Sequence, residues 1–182
     1  MPNPYFDIQQ FGEQTDIYIF GDIVRYAYED SQDTSAYSLV QQLKKNPDAA
    51  EINLHIDSFG GNVSEGWAIY NALKDSRARV TSYADGFVAS AAIYPFLAGQ
   101  ERIASNVSAF YFHPASQLTG GYAEDLRNVA DALDQLTEIG LGAFTNAGME
   151  KQAARDLVNS KAWYSPTDML EKGIATSIRK TG

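Results

Sequence analysis

The chain has 182 residues, 45% apolar and 20% charged, a mix that excludes a disordered polypeptide and predicts one folded domain over 1–182. Its 14 Lys+Arg against 23 Asp+Glu leave a formal charge of -9, which argues against a nucleic-acid-binding surface, since such surfaces carry a basic excess. Cysteine is absent, no run reaches the roughly 18 apolar residues of a membrane span, and the opening segment lacks the basic and apolar regions of a secretory signal, so a soluble, cytoplasmic chain without disulfides or thiol chemistry is expected.

The first strand signal is Asp16-Ile17-Tyr18-Ile19-Phe20, ended by Gly21-Asp22. The polar, acidic stretch from Tyr26 to Ser35 predicts a loop. Ala36, Leu39, Val40 and Leu43 recur at helical spacing, and Asn46-Pro47-Asp48 stops that helix. Ile52, Leu54 and Ile56 alternate as a strand that runs into Ser58-Phe59-Gly60-Gly61. A helix follows at once: Asn62 with Glu65 resembles a capping pair, and Ala68, Ile69, Ala72 and Leu73 give it one apolar face. Val80 to Tyr83 predicts a third strand, broken at Asp85-Gly86. Ala89 to Ala98 predicts a buried helix closing at Gly99 and kinked by Pro95. Arg102-Ile103-Ala104 and Ala109-Phe110-Tyr111-Phe112 are further strand signals.

The longest periodic segment runs from about Tyr122 to Ala147, seven turns and roughly 35–40 Å at the helical rise. Leu126, Val129, Leu133, Leu136, Leu141 and Phe144 line one side of it. A helix of that length on a small domain projects from it or packs on a neighbour. The last helix has Ser165 as N-cap, Pro166 at its first position, Asp168 in the first turn and Gly173 after its end. Strands alternating with helices predict an α/β fold with a mostly parallel sheet.

Three places have residues suited to chemistry. In Ser58-Phe59-Gly60-Gly61-Asn62, paired glycines between strand and helix expose N–H groups suited to a phosphate or an oxyanion; the same pair also makes a plain tight connection. Ser90 sits among small residues at a helix start. There a neighbouring base would make it a nucleophile, and the next N–H would face developing negative charge; it equally suits an N-cap. His113 ends a strand just before Pro114, a place from which a general base can face a cleft. His55, inside a strand between Leu54 and Ile56, reads as structural. Two separated histidines without thiols make a poor metal set, and no P-loop or dinucleotide fingerprint is present, so no metal and no cofactor are expected. Lys44-Lys45 and Arg179-Lys180 read as solvated surface charge.

Ile56-Asp57-Ser58-Phe59-Gly60-Gly61-Asn62-Val63, Gly66, Ala68-Ile69-Tyr70, Gly86, Ala89-Ser90-Ala91, Ala98-Gly99, Phe112-His113 and Trp163 through Gly173-Ile174 follow one another in an order and spacing that resembles the ClpP serine peptidases. The resemblance runs from about Ile17 to Ile178. Ala68 to Leu73, Ala123 to Arg127 and Ala130 to Leu133 resemble the phage and prophage branch, the Clp-related head maturation proteases. The resemblance implies a ClpP/crotonase-like fold with a protruding handle helix over about 122–147. It implies Ser90 as nucleophile, His113 as general base, and the N–H groups of Gly61 and Ala91 as oxyanion hole. It further implies a homo-oligomer, a heptameric ring or double ring, acting on peptide or unfolded protein such as phage scaffold or capsid protein, either independently of ATP or with an AAA+ unfoldase as partner.

Four features depart from the family pattern. Lys161 stands where the family has the acid of its triad, and Asp156, Asp168 and Asn159 do not match the motif. Phe59 replaces a proline, Pro95 falls inside the helix after Ser90, and the segment before Asp16 is short. The expected activity is therefore weak or conditional. Three other readings stay open: a catalytically silent ring subunit, a Ser–Lys dyad with Lys161 as base, and an acyl-CoA enzyme on the related crotonase framework.

Overall fold

Alternating apolar residues build the sheet, and three-to-four-residue spacing builds the layer that covers it. The computed structural model describes residues 9–11, 14–28 and 31–180; most of the opening segment lies outside them. The strands are β1 (Gln9–Phe11), β2 (Gln14–Phe20), β3 (Glu51–Ser58), β4 (Arg79–Ala89), β5 (Glu101–Ser105), β6 (Ala109–Tyr111), β7 (Trp163–Tyr164) and β8 (Ser177–Arg179). The helices are α1 (Ala36–Lys45), α2 (Val63–Lys74), α3 (Ile93–Ala98), α4 (Ala123–Asn146), α5 (Lys151–Asn159) and α6 (Pro166–Glu171). The sheet runs β1-β2-β3-β4-β5-β8, with β6 on the later half of β4 and β7 on β6. Every described pairing is parallel except β1 with β2 and β6 with β7. The expected α/β fold with a mostly parallel sheet is therefore observed.

One face of the sheet is dry. Ile17, Ile19, Leu54, Ile56, Val80, Ala84 and Val88 are fully buried there and join one apolar cluster with Ile69 and Leu73 of α2 and Phe96 of α3. Each such large side chain contributes roughly 1.5–3 kcal/mol on burial.

Four local expectations are corrected. The third strand does not break at Asp85-Gly86; β4 continues to Ala89. Asp57 Oδ1 accepts the Phe87 N–H at 2.8 Å, and a Cβ on Gly86 would stand 2.4 Å from that oxygen. The glycine admits a carboxylate rather than making a turn. The helix expected over 89–98 is a 3₁₀ turn, Ser90–Ala92, followed by α3. Pro95 is the third residue of α3, a first-turn position whose N–H would have no partner within the helix, so it costs α3 no hydrogen bond. Asn62 does cap α2, accepting from the N–H groups of Ser64 and Glu65. Glu65 does not reciprocate; its carboxylate accepts the Ala36 N–H at 2.9 Å and so serves the first turn of α1. Ser165 caps α6 as expected, in a reciprocal box with Asp168.

α4 has 24 residues, about 36 Å at 1.5 Å per residue. Gly140, Leu141, Ala143 and Phe144 are buried, whereas none of residues 123–139 is. Its N-terminal part therefore projects, leaving Leu126 42% and Ile139 63% exposed. α5, absent from the sequence expectation, braces its base: Arg155 donates to both carboxylate oxygens of Glu138, at 2.7 and 2.8 Å.

The C-terminal part is held by one buried cation. Arg102, 8% exposed, donates to the carbonyls of Ile174 (2.7 Å), Gly99 (3.0 Å) and Gly173 (3.2 Å). Burial pulls its guanidinium below the ordinary range. Arg102→Ala leaves three carbonyls without their donor, so the urea midpoint should fall by the equivalent of about 2–4 kcal/mol at unchanged slope. Arg102→Lys, which offers a point charge instead of a planar fork, should lie between.

Candidate active site

The site begins with strand pairing. β4 and β6 run parallel with Phe87 opposite Ala109, Val88 opposite Phe110 and Ala89 opposite Tyr111. Ser90 follows the end of β4, and His113 lies two residues past the end of β6. The two therefore leave the sheet side by side. His113 Nε2 is 2.7 Å from Ser90 Oγ, and His113 Nδ1 is 2.6 Å from the carbonyl oxygen of Pro114. A carbonyl can only accept, so Nδ1 carries the proton and Nε2 offers its lone pair to the serine O–H. The chain beyond Pro114 is tied to the projecting helix, because the Ala115 N–H donates to Thr137 Oγ1 at 3.0 Å.

Ser90 has φ +54°, a left-handed conformation that costs a non-glycine residue of order 1–3 kcal/mol. Close approach by two glycines accommodates it. A Cβ on Gly60 would stand 2.6 Å from the Ala89 carbonyl and 2.7 Å from the Ala91 nitrogen, and one on Gly66 would stand 2.8 Å from the Ala91 carbonyl. The glycine loop is itself pinned. Ser58 Oγ donates to the Gly21 carbonyl at 2.5 Å and accepts the Gly60 N–H at 3.0 Å. Ile23 donates to the Gly60 carbonyl and accepts from the Asn62 N–H, both at 2.8 Å. These bonds flank Gly61 on either side, so its own N–H is directed away from Ile23. The Ala91 N–H lies in the first turn after β4, where a helical segment has no internal acceptor.

Ser90, His113, Gly61 and Ala91 all line one cavity of about 300 Å³, with Tyr94, Leu133 and Phe144 among its apolar walls. Burial raises the Tyr94 phenol above its ordinary value, so it stays neutral. The four residues named from the sequence are thus brought together.

The candidates for a third polar partner are not. Lys161, itself at φ +50°, is exposed and outside the cavity lining. Asp156 accepts from Gln152, Asp168 accepts from Ser165, and Asn159 is exposed. Among the described residues no carboxylate bonds to His113; the partner that residue patterns missed is the Pro114 carbonyl, a backbone group carrying no sequence signal. His55 is structural as expected: its Nδ1 is 2.6 Å from Asp85 Oδ2, and its ring is stacked between Tyr18 and Tyr83.

The packing around Ser90 gives a direct prediction. Gly60→Ala, at φ +94° and with three atoms under 3.0 Å from its Cβ, should push the Ser90 turn aside. A crystal structure of the variant should show the Ser90–His113 hydrogen bond broken, while α2 and β4 keep their places.

The comparisons agree with the fold. The family model described as Clp protease matches residues 13–182. The ATP-dependent Clp protease proteolytic subunit 3 of Streptomyces avermitilis is 27% identical over 179 residues, covering 93% of this chain and 80% of its own length. A ClpP1 mutant from Listeria monocytogenes shares the fold with a TM-score of 0.75 at 21% identity, over 91% of each chain. With its sheet, its long helix and a family match that spans nearly its whole length, this chain belongs to the Clp protease family.

Proposed function

We propose that this chain is a serine endopeptidase in which Ser90 is the nucleophile and His113 the general base. The observation that carries the reading is the 2.7 Å contact between Ser90 Oγ and His113 Nε2, with the opposite nitrogen committed to a carbonyl. In this mechanism Nε2 takes the serine proton as Oγ attacks the scissile carbonyl, then returns it to the leaving amine. The N–H groups of Gly61 and Ala91 receive the developing oxyanion; losing one such donor typically costs about 10²–10³ in rate. Water then repeats the sequence on the acyl-enzyme.

The Pro114 carbonyl does part of what a triad carboxylate does. It selects the correct tautomer, the function whose loss in a well-studied serine protease lowers turnover about 10⁴-fold. It lacks the full negative charge that strengthens a hydrogen bond to imidazolium about twofold. Activity reduced but not abolished is the consequence.

The family match supports a homo-oligomeric ring of such subunits, each one peptidase domain over 1–182, and the exposed apolar side chains of α4 offer surface for it. A head maturation role on phage scaffold or capsid protein, an AAA+ unfoldase partner and a cytoplasmic setting complete the proposal. One observation favours a second reading, a silent ring subunit: among the described residues no carboxylate bonds to His113 Nδ1.

Acylation by a fluorophosphonate separates the two. Wild type should be labelled at Ser90; Ser90→Ala should abolish labelling, and His113→Ala should slow it about 10²–10⁴-fold. Lys161→Ala should leave the rate within a few fold. An unlabelled wild type favours the silent subunit, and a loss confined to Lys161→Ala favours the lysine dyad.

A further inference from the structure

Phe59, Phe87, Trp163 and Tyr111 form a continuous aromatic strip that ends on His113. Ring centroids are 4.7 Å apart from Phe59 to Phe87, 5.3 Å from Phe87 to Trp163 and 5.0 Å from Trp163 to Tyr111. Tyr111 then lies 5.8 Å from the His113 ring. Phe59, Phe87 and Trp163 are 60%, 40% and 51% exposed, and the four rings carry no formal charge. Exposed apolar surface gathered in this way marks a binding site rather than scattered surface.

The elements that form the strip are those that form the site. Phe59 opens the glycine loop that includes Gly61, Phe87 lies on β4 ahead of Ser90, and Tyr111 lies on β6 ahead of His113. Trp163 is paired with Tyr111 across β6 and β7. None of the four lines the cavity that contains Ser90, Gly61 and Ala91. Two surfaces therefore meet at the Ser90–His113 pair, a cavity that the pair lines and an aromatic strip outside that lining.

We infer that the strip is the subsite for the leaving-group side of the substrate and selects an uncharged aromatic or large aliphatic residue just after the scissile bond. The inference rests on the peptidase reading above. The two proposed oxyanion donors line the cavity, so the acyl half of the substrate lies there. His113 passes its proton to the leaving amine, so the leaving half passes His113 and runs onto the rings that begin beside it. Flat, neutral rings bind by area and stacking, which favours aromatic partners over charged ones.

The test uses the assembled full-length protein and two internally quenched peptides that differ only after the scissile bond, Phe in one and Gly in the other. Wild type should cleave the Phe peptide with kcat/KM at least about 10-fold higher. Trp163→Ala and Phe87→Ala should each move that ratio towards 1, and Trp163→Phe should restore most of it. If Trp163→Ala does not fold, Phe87→Ala, at an exposed position, decides alone. Fluorophosphonate labelling of Ser90 in parallel keeps the two readings apart. Labelling with a wild-type ratio near 1, or a ratio kept by the alanine variants, overturns the subsite and leaves the peptidase standing. Failure of labelling overturns the peptidase and the subsite with it. A change in the native mass of the assembly in either alanine variant marks the strip as an interface between copies, which also overturns the subsite.

Discussion

The chemistry proposed for this chain depends on two parallel strands ending side by side. β4 is 11 residues long; it gives its first half to β5 and its second to β6. Only because it changes partners can β6 lie next to its end and deliver His113 to Ser90. That exchange needs Gly86, which lets Asp57 reach the backbone of Phe87 at the point where the β3–β4 register shifts. A feature that locally resembles a strand breaker is what allows the strand to continue past its first partner.

Strain at the proposed nucleophile is confined by its surroundings. Ser90 stays left-handed because the sheet fixes the residue before it, a 3₁₀ turn fixes the residues after it, and two glycines bring neighbouring backbone within side-chain distance. The proposed base is constrained differently. A neutral carbonyl at Nδ1 fixes which nitrogen is bare without contributing a counter-charge. Tautomer selection and charge stabilisation, usually joined in one carboxylate, are thus separated in this fold, and only the first is present among the described residues.

How much was legible in the sequence follows from how local each signal is. Ser165 with Asp168 and Asn62 with its first turn are contacts within a few residues, and both capping assignments agree with the structure. The alternation in β2 and β3 and the period of α4 are equally local. Pairing Glu65 with Asn62 assigns it to the wrong helix, because the partner of its carboxylate, Ala36, is far along the chain. α5 is capped by Glu150, a residue type that carries no strong start signal, so residue patterns do not reveal it. Ser90, His113, Gly61 and Ala91 stand in ordered motifs, and the structure gathers them around one cavity. The Pro114 carbonyl and the aromatic strip carry no such signal: the first is backbone, and the second joins four separate segments.

The central claim is that His113 is held with its proton on Nδ1 and its lone pair towards Ser90. With only two histidines in the chain, ¹⁵N-detected imidazole spectra can be assigned by comparing wild type with His55→Asn. The account predicts, for neutral His113, a protonated Nδ1 and an unprotonated, hydrogen-bonded Nε2 whose signal shifts in Ser90→Ala. A proton on Nε2 in the neutral ring, or an Nε2 signal indifferent to the loss of the serine hydroxyl, would contradict it.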